Sequence, residues 1–299
     1  MTVRAIKIVI AAAVLLVLAA GCAGSGAAGP GNAGQGSSSP GASRNVAASP
    51  PAAGSATASA APRASAAFSQ CGPPDAPARP VTLHAAGGAR LAAVEAGTGP
   101  RGVVLVPELG PAGKCGWWTY AAYLAARGYR VLLFDHRCAG ESSCPAGAAG
   151  ADLMADIRSA VSRLRRDGAA RVVLMGASQG GSEVLIAGTV PPRGVTAVIS
   201  LSADELTTPL ASRPYQRTGE AAPPRLRLPV LFAVAAQDPY VTVQQTRHLY
   251  RAARSRSKRL VLLGPAAGHG WDMLASAAPG GVRPSLSRTV VAFLRQATA

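Results

Sequence analysis

The chain has 299 residues, 48% of them apolar, and a formal net charge of +16 carried almost wholly by arginine, the lysines being Lys7, Lys114 and Lys258. That charge suits an anionic lipid or wall polymer. A nucleic-acid role finds its best support in Arg247, Arg251, Arg254, Arg256, Lys258 and Arg259, but these lie in an amphipathic stretch with no aromatic stacking set, so no nucleic-acid partner is expected.

In chain order, Met1 to Gly21 reads as an export signal: Arg4 and Lys7 form a positive start, and an apolar run from Ile8 to Ala20 is short for a bilayer span. Leu18-Ala-Ala-Gly-Cys22 then resembles the lipobox of bacterial lipoproteins, with alanine three residues before the cysteine where leucine is usual. The resemblance implies cleavage before Cys22, acylation of Cys22 (palmitate among the chains) and a membrane anchor holding the rest outside the cytoplasm; plain secretion is the alternative. From Ala23 to about Ala67 the composition is nearly all Ala, Gly, Ser and Pro without apolar periodicity, as in a disordered tether. Residues 68–299 are expected to form one domain.

Within that domain Val81-Thr-Leu-His84 and Arg90 to Glu95 read as a hairpin turned at Gly87-Gly88. Six short β-branched or leucine-rich runs follow, from Val103 to Val106, Arg130 to Phe134, Arg171 to Met175, Ala197 to Leu201, Val230 to Val234 and Arg259 to Leu263. They have the pattern of strands buried on both faces. Helical spacing lies between and after them, at Trp117 to Arg127, Asp152 to Asp167, Gln179 to Thr189, Val243 to Arg254 and Ser285 to Gln296. Such alternation predicts an α/β fold: a mostly parallel, twisted sheet of about eight strands with helices on both faces.

Chemistry concentrates where strands end. Gly176-Ala-Ser-Gln-Gly180 joins a buried-strand run to a helical one, so Ser178 falls on a sharp strand-to-helix turn that needs small neighbours. The following helix aims its free N–H groups at charge developing near that serine. A serine hydroxyl needs a base, and the base a carboxylate. His269, in Gly268-His-Gly270, and Asp238, in Gln237-Asp-Pro-Tyr-Val241, each follow a strand at the same sheet edge. The other histidines, His84, His136 and His248, read as surface or packing residues; Asp204 and Glu205 are rival carboxylates.

The stretch from about Val81 to Phe293 resembles the α/β-hydrolase fold family. Beside the elbow, Trp117-Trp-Thr-Tyr-Ala-Ala-Tyr-Leu-Ala-Ala-Arg-Gly-Tyr-Arg-Val131 resembles its first helix and next strand, and Asp135-His-Arg-Cys-Ala-Gly-Glu-Ser142 its DxRGxGxS loop, with Cys138 where glycine is usual. The resemblance implies hydrolysis of an ester-like bond by Ser178, His269 and Asp238, without metal or cofactor, on a small-molecule or envelope acyl substrate. It implies oxyanion N–H groups from Gln179 and Leu109, although the loop reads Pro107-Glu-Leu-Gly110 where His-Gly-X is common. Glu108 is expected to be a solvated loop residue, with a substrate contact as the alternative. A lid is expected to be small or absent, with only about Ser202 to Arg227 to form it. With Cys22 assigned to lipid, Cys71, Cys115, Cys138 and Cys144 remain, and the preferred pairing is Cys71 with Cys115 and Cys138 with Cys144, free buried thiols being the alternative. No paired CxxC or nearby histidine ligand points to zinc. A non-catalytic envelope binding module on the same fold is the rival function.

Overall fold

The structure is a computed structural model that describes residues 71, 77–146, 152–203, 223–275 and 281–299. The expected signal and tether, Cys22, the rival carboxylates Asp204 and Glu205 and most of the segment available for a lid lie outside the described residues.

Eight strands form one sheet: β1 (Ala78–Ala85), β2 (Ala89–Ala96), β3 (Arg101–Val106), β4 (Tyr129–Phe134), β5 (Arg171–Ala177), β6 (Val195–Leu201), β7 (Val230–Ala235) and β8 (Lys258–Leu263). Their spatial order is β1-β2-β4-β3-β5-β6-β7-β8, antiparallel at the first two pairings and parallel from β4 onward. The helices are α1 (Trp118–Ala125), α2 (Leu153–Arg166), α3 (Gln179–Thr189), α4 (Val243–Ala252) and α5 (Pro284–Ala297). The central strands are apolar without alternation because each is covered twice. On one face Ile157 and Leu164 of α2, Val184 and Leu185 of α3 and Leu249 of α4 pack on Val104, Leu132, Leu174 and Phe232. On the other, Tyr120 and Leu124 of α1 with Leu286, Val290 and Leu294 of α5 cover Val103, Leu133, Met175 and Ile199. Burying one such side chain contributes about 1.5–3 kcal/mol, so this double cover is the main stabilising feature.

Parallel strands joined by helices all end at one edge, and the loops there carry the chemistry. Two of these loops are braced by buried charge. Lys114, wholly buried, donates through Nζ to Asp135 Oδ2 and Glu141 Oε2, both at 2.7 Å, while its N–H donates to Asp135 Oδ1 at 2.8 Å. The guanidinium of Arg137 pairs with buried Asp156 of α2 at 2.7 Å. Both preferred disulfides are present, Cys71–Cys115 and Cys138–Cys144. Cys138 has φ +62°, so a side chain takes the left-handed position that glycine usually fills, and the disulfide anchors it there.

Candidate active site

The elbow at Ser178 is built by the glycines around it. Ser178 has φ +52° and ψ −119°, a conformation that costs on the order of 1–3 kcal/mol and persists only when its surroundings enforce it. A Cβ on Gly176 would overlap the Gly180 carbonyl, and one on Gly180 would overlap the carbonyl of Val106 and crowd that of Pro107. The strand end and helix start can approach this closely only without side chains. Ser178 N–H donates to Leu201 O at 2.9 Å, tying the elbow to the end of β6. Gln179 is the first residue of α3, so its N–H belongs to the turn that lacks intrahelical partners. Leu109 lies in the loop after β3 with half its surface exposed.

Asp238 and His269 come together from the loops after β7 and β8. His269 Nδ1 lies 2.8 and 2.9 Å from the two oxygens of Asp238, which assigns the Nδ1 proton to this contact and leaves Nε2 for a substrate or nucleophile. The carboxylate also accepts from Tyr240 N and Val241 N at 3.0 Å and from Ser202 Oγ at 2.6 Å. Desolvation opposes its charge, but the bonds from His269, Ser202, Tyr240 and Val241 outweigh it and hold Asp238 below the usual carboxylate range. Burial likewise opposes charge on His269, yet the Asp238 bond and charge, then Glu108 and Asp272, raise it above its ordinary value. The ring of Tyr240, itself 76% exposed, meets the imidazole edge-on at 4.8 Å.

Among the described hydrogen bonds none joins Ser178 Oγ to His269. The two loops are nonetheless adjacent: a Cβ on Gly270 would stand 3.1 Å from the Cβ of Ala177. Catalytic bonds of this kind are often long before substrate is bound.

Ser202 was not singled out in the sequence, and Glu108 was expected to be solvated, with a substrate contact as the alternative. Ser202, fully buried at the end of β6 with φ +48°, donates to Asp238 Oδ2 and accepts from Gly270 N–H at 3.0 Å, fixing acid and histidine loops together. Its place at a strand end on the functional edge was the available signal. Glu108 is not the solvated residue expected. Its Oε1 accepts from Trp271 N–H at 2.9 Å, so the carboxyl turns inward onto the histidine loop, where desolvation raises it to about 7 against relief from the Trp271 bond.

His84 and His248 are exposed, whereas His136 is buried beneath α3, with Nε2 3.2 Å from Glu183 Oε2. Burial opposes its charge, but Glu183 and then Asp156 raise it. Glu183 Oε1 in turn accepts from Gln179 Nε2 at 2.7 Å. In the basic stretch Lys258 is occupied, donating to the carbonyls of Tyr250, Arg251 and Ala253 at the end of α4. Among the described residues no group of three or more His, Cys, Asp or Glu is arranged to hold a metal ion.

A family model for the α/β hydrolase fold matches residues 102–227. An esterase from Pyrococcus furiosus is similar with a TM-score of 0.59 at 15% identity, over 75% of this chain and 93% of that one. The enol-lactonase from Burkholderia xenovorans LB400 gives 0.56 at 18% identity, over 72% and 100%. The esterase domain of a Rhodothermus marinus protein gives 0.57 at 20% identity, over 75% and 100%. No curated protein sequence matches the chain significantly. The chain has the α/β-hydrolase fold.

Proposed function

On this α/β-hydrolase fold, we propose that the chain is a serine hydrolase that cleaves an ester-like bond through an acyl-enzyme on Ser178. The observation that carries the reading is the Asp238–His269 pair, held by Ser202 and two backbone N–H groups at the sheet edge where the strained Ser178 elbow stands. Similarity to an esterase, a lactonase and an esterase domain supports the same class.

In the proposed reaction His269 Nε2 takes the Ser178 proton as Oγ attacks the carbonyl carbon. The tetrahedral oxyanion receives the N–H groups of Gln179 and Leu109. Collapse expels the alcohol, which leaves with the proton from His269; water, deprotonated by the same imidazole, then releases the acid and restores Ser178. Asp238 keeps the imidazole in the right tautomer and stabilises its charged form. No cofactor enters. The N-terminal pattern supports export with Cys22 acylated, the domain standing outside the membrane. Among the described residues no helix is long and apolar enough to cross a membrane.

Labelling with a fluorophosphonate probe tests the enzyme reading: the wild-type protein reacts, while Ser178→Ala and His269→Ala do not. Metabolic labelling with an alkynyl palmitate tests the anchor, with Cys22→Ala losing the label. A second reading, a binding module, is favoured by one observation, the acidic Glu108 in the oxyanion loop. A folded wild-type protein that refuses the probe would select it.

A further inference from the structure

Glu108 is an inward-turned carboxyl beside the histidine loop that the proposed acyl transfer leaves unused. It stands in the loop after β3, yet its carboxyl reaches the loop after β8: Oε1 accepts from Trp271 N–H, and a Cβ on Gly270 would overlap that same oxygen. That same position would stand 3.1 Å from the Cβ of Ala177, the residue before Ser178, so the carboxyl on the histidine loop is also near the elbow. The bond from Trp271 is its only hydrogen bond among the described residues, and none of the ion pairs among them reaches it.

This arrangement is adverse to the reaction unless something neutralises it. A carboxylate beside the elbow opposes the oxyanion that must form there. The charged and titratable groups acting on it are His269, which favours its ionised form, and Asp272 and Asp238, which oppose it. The chain carries a net charge of +16, yet among the described residues no arginine or lysine forms an ion pair with Glu108. A partly buried carboxyl with one hydrogen bond, and with His269 as the cationic group acting on it, leaves capacity for a cation from outside.

We propose that Glu108 is a specificity-determining residue that receives a primary ammonium group on the acyl part of the substrate, making the site selective for aminoacyl esters. The proposal rests on the hydrolase reading above. Because the carboxyl adjoins the residue next to Ser178, the ammonium belongs on the α- or β-carbon of the acyl chain, within a few bonds of the carbonyl under attack. Docking it removes the adverse charge in the same event that positions the ester, so neutral acyl groups of equal size bind without that gain and acidic ones meet repulsion.

Three benzyl esters of equal chain length separate the cases: of β-alanine, of the isosteric butanoic acid and of the bulkier succinic acid (the monoester), with kcat/KM measured at about pH 8, where the amine is still largely charged and Glu108 ionised. The wild-type protein is expected to favour the β-alanine ester over the butanoate about 10–100-fold and to disfavour the succinate. In E108Q the ratio of β-alanine to butanoate should fall toward one and the succinate should gain relative to both. Equal rates on the wild-type protein, or a preference that survives in E108Q, would overturn the proposal. So would failure to cleave any of the three by a protein that reacts with the fluorophosphonate probe, whereas failure to react with the probe overturns the hydrolase reading itself.

Discussion

Replacing Ser202 with alanine removes one hydroxyl that serves two loops. The hydroxyl donates to Asp238 Oδ2 at 2.6 Å and accepts from Gly270 N–H at 3.0 Å, and the residue is fully buried, so water cannot readily substitute. A hydrogen bond to a charged group is worth about 1.5–3 kcal/mol, and a buried N–H left without an acceptor costs about 1–3 kcal/mol. Alanine at this position meets the same backbone restriction as serine, so about 3 kcal/mol of stability should be lost with little change in packing. The functional loss has a separate origin. Asp238 loses one of its fixed donors and Gly270 its anchor, so the carboxylate and the imidazole are each freer to drift; a misplacement of about 1 Å costs on the order of 10²-fold in rate. Urea unfolding at constant m-value measures the first effect, and the pseudo-first-order rate of fluorophosphonate labelling measures the second. A Ser202→Ala protein that loses stability but labels at the wild-type rate would refute Ser202 as an orienting residue. One that changes in neither respect would refute the geometry.

Three further outcomes are expected. His269 must be neutral to act as base and its value is raised by Asp238, so the acid limb of the labelling rate should fall above the ordinary histidine range, near 6.5. In Asp238→Asn that limb should move down while the maximal rate drops by roughly 10⁴-fold; an unmoved limb would separate Asp238 from His269. The stability that this histidine contributes runs the other way, being fully present below about 6.5 and lost as pH rises through its raised folded value. Glu108 is raised from 4.5 to about 7 by desolvation, so it holds its proton more tightly folded than unfolded and destabilises the fold progressively as pH rises between those values. E108Q should therefore be more stable than wild type above pH 7 by roughly 2 kcal/mol after allowing for partial exposure, the gap closing near pH 4, as urea unfolding at both ends would report. Finally, Gly180→Ala forces a methyl onto the backbone carbonyls of Val106 and Pro107. It should cost about 2–3 kcal/mol in unfolding and depress labelling further, because the elbow has to open to admit it; a wild-type melt would show that the elbow is slack.

What the sequence disclosed follows from the range of the interactions involved. The helix α3, Gln179–Thr189, was legible to the residue because Gly176 and Gly180 punctuate it and its apolar spacing is local. Other ends were set by partners outside the pattern. The helix expected from Val243 to Arg254 stops at Ala252, because Lys258 folds back onto the carbonyls of Tyr250, Arg251 and Ala253. The opening hairpin runs longer than expected, from Ala78 to Ala96, since an edge strand tolerates Pro80 and polar side chains that weaken its signal. At the candidate site, Ser178, Asp238 and His269 each follow a strand end, and glycines bracket the serine and the histidine. Ser202 and Glu108 did not stand out, because their contacts are long-range: Ser202 reaches Asp238 and Gly270 across 36 and 68 residues, and Glu108 reaches Trp271 across 163. A glutamate in an exposed-looking loop carries no mark of the histidine loop it will lean on.

Neither disulfide joins two strands. Cys71–Cys115 leads through Gly116, whose missing side chain admits the Trp271 indole, toward the backbone that Glu108 grips. Cys138–Cys144 closes the loop whose Glu141 shares Lys114 with Asp135. By loop-closure entropy they are worth about 4 and 2 kcal/mol for separations of 44 and 6 residues, but that stabilisation is spent on the rim of the site. The apolar layers on both faces of the sheet contain neither bond, whereas both bonds lie in the loops at its rim. A thiol reductant is therefore expected to slow fluorophosphonate labelling at concentrations that leave the sheet folded.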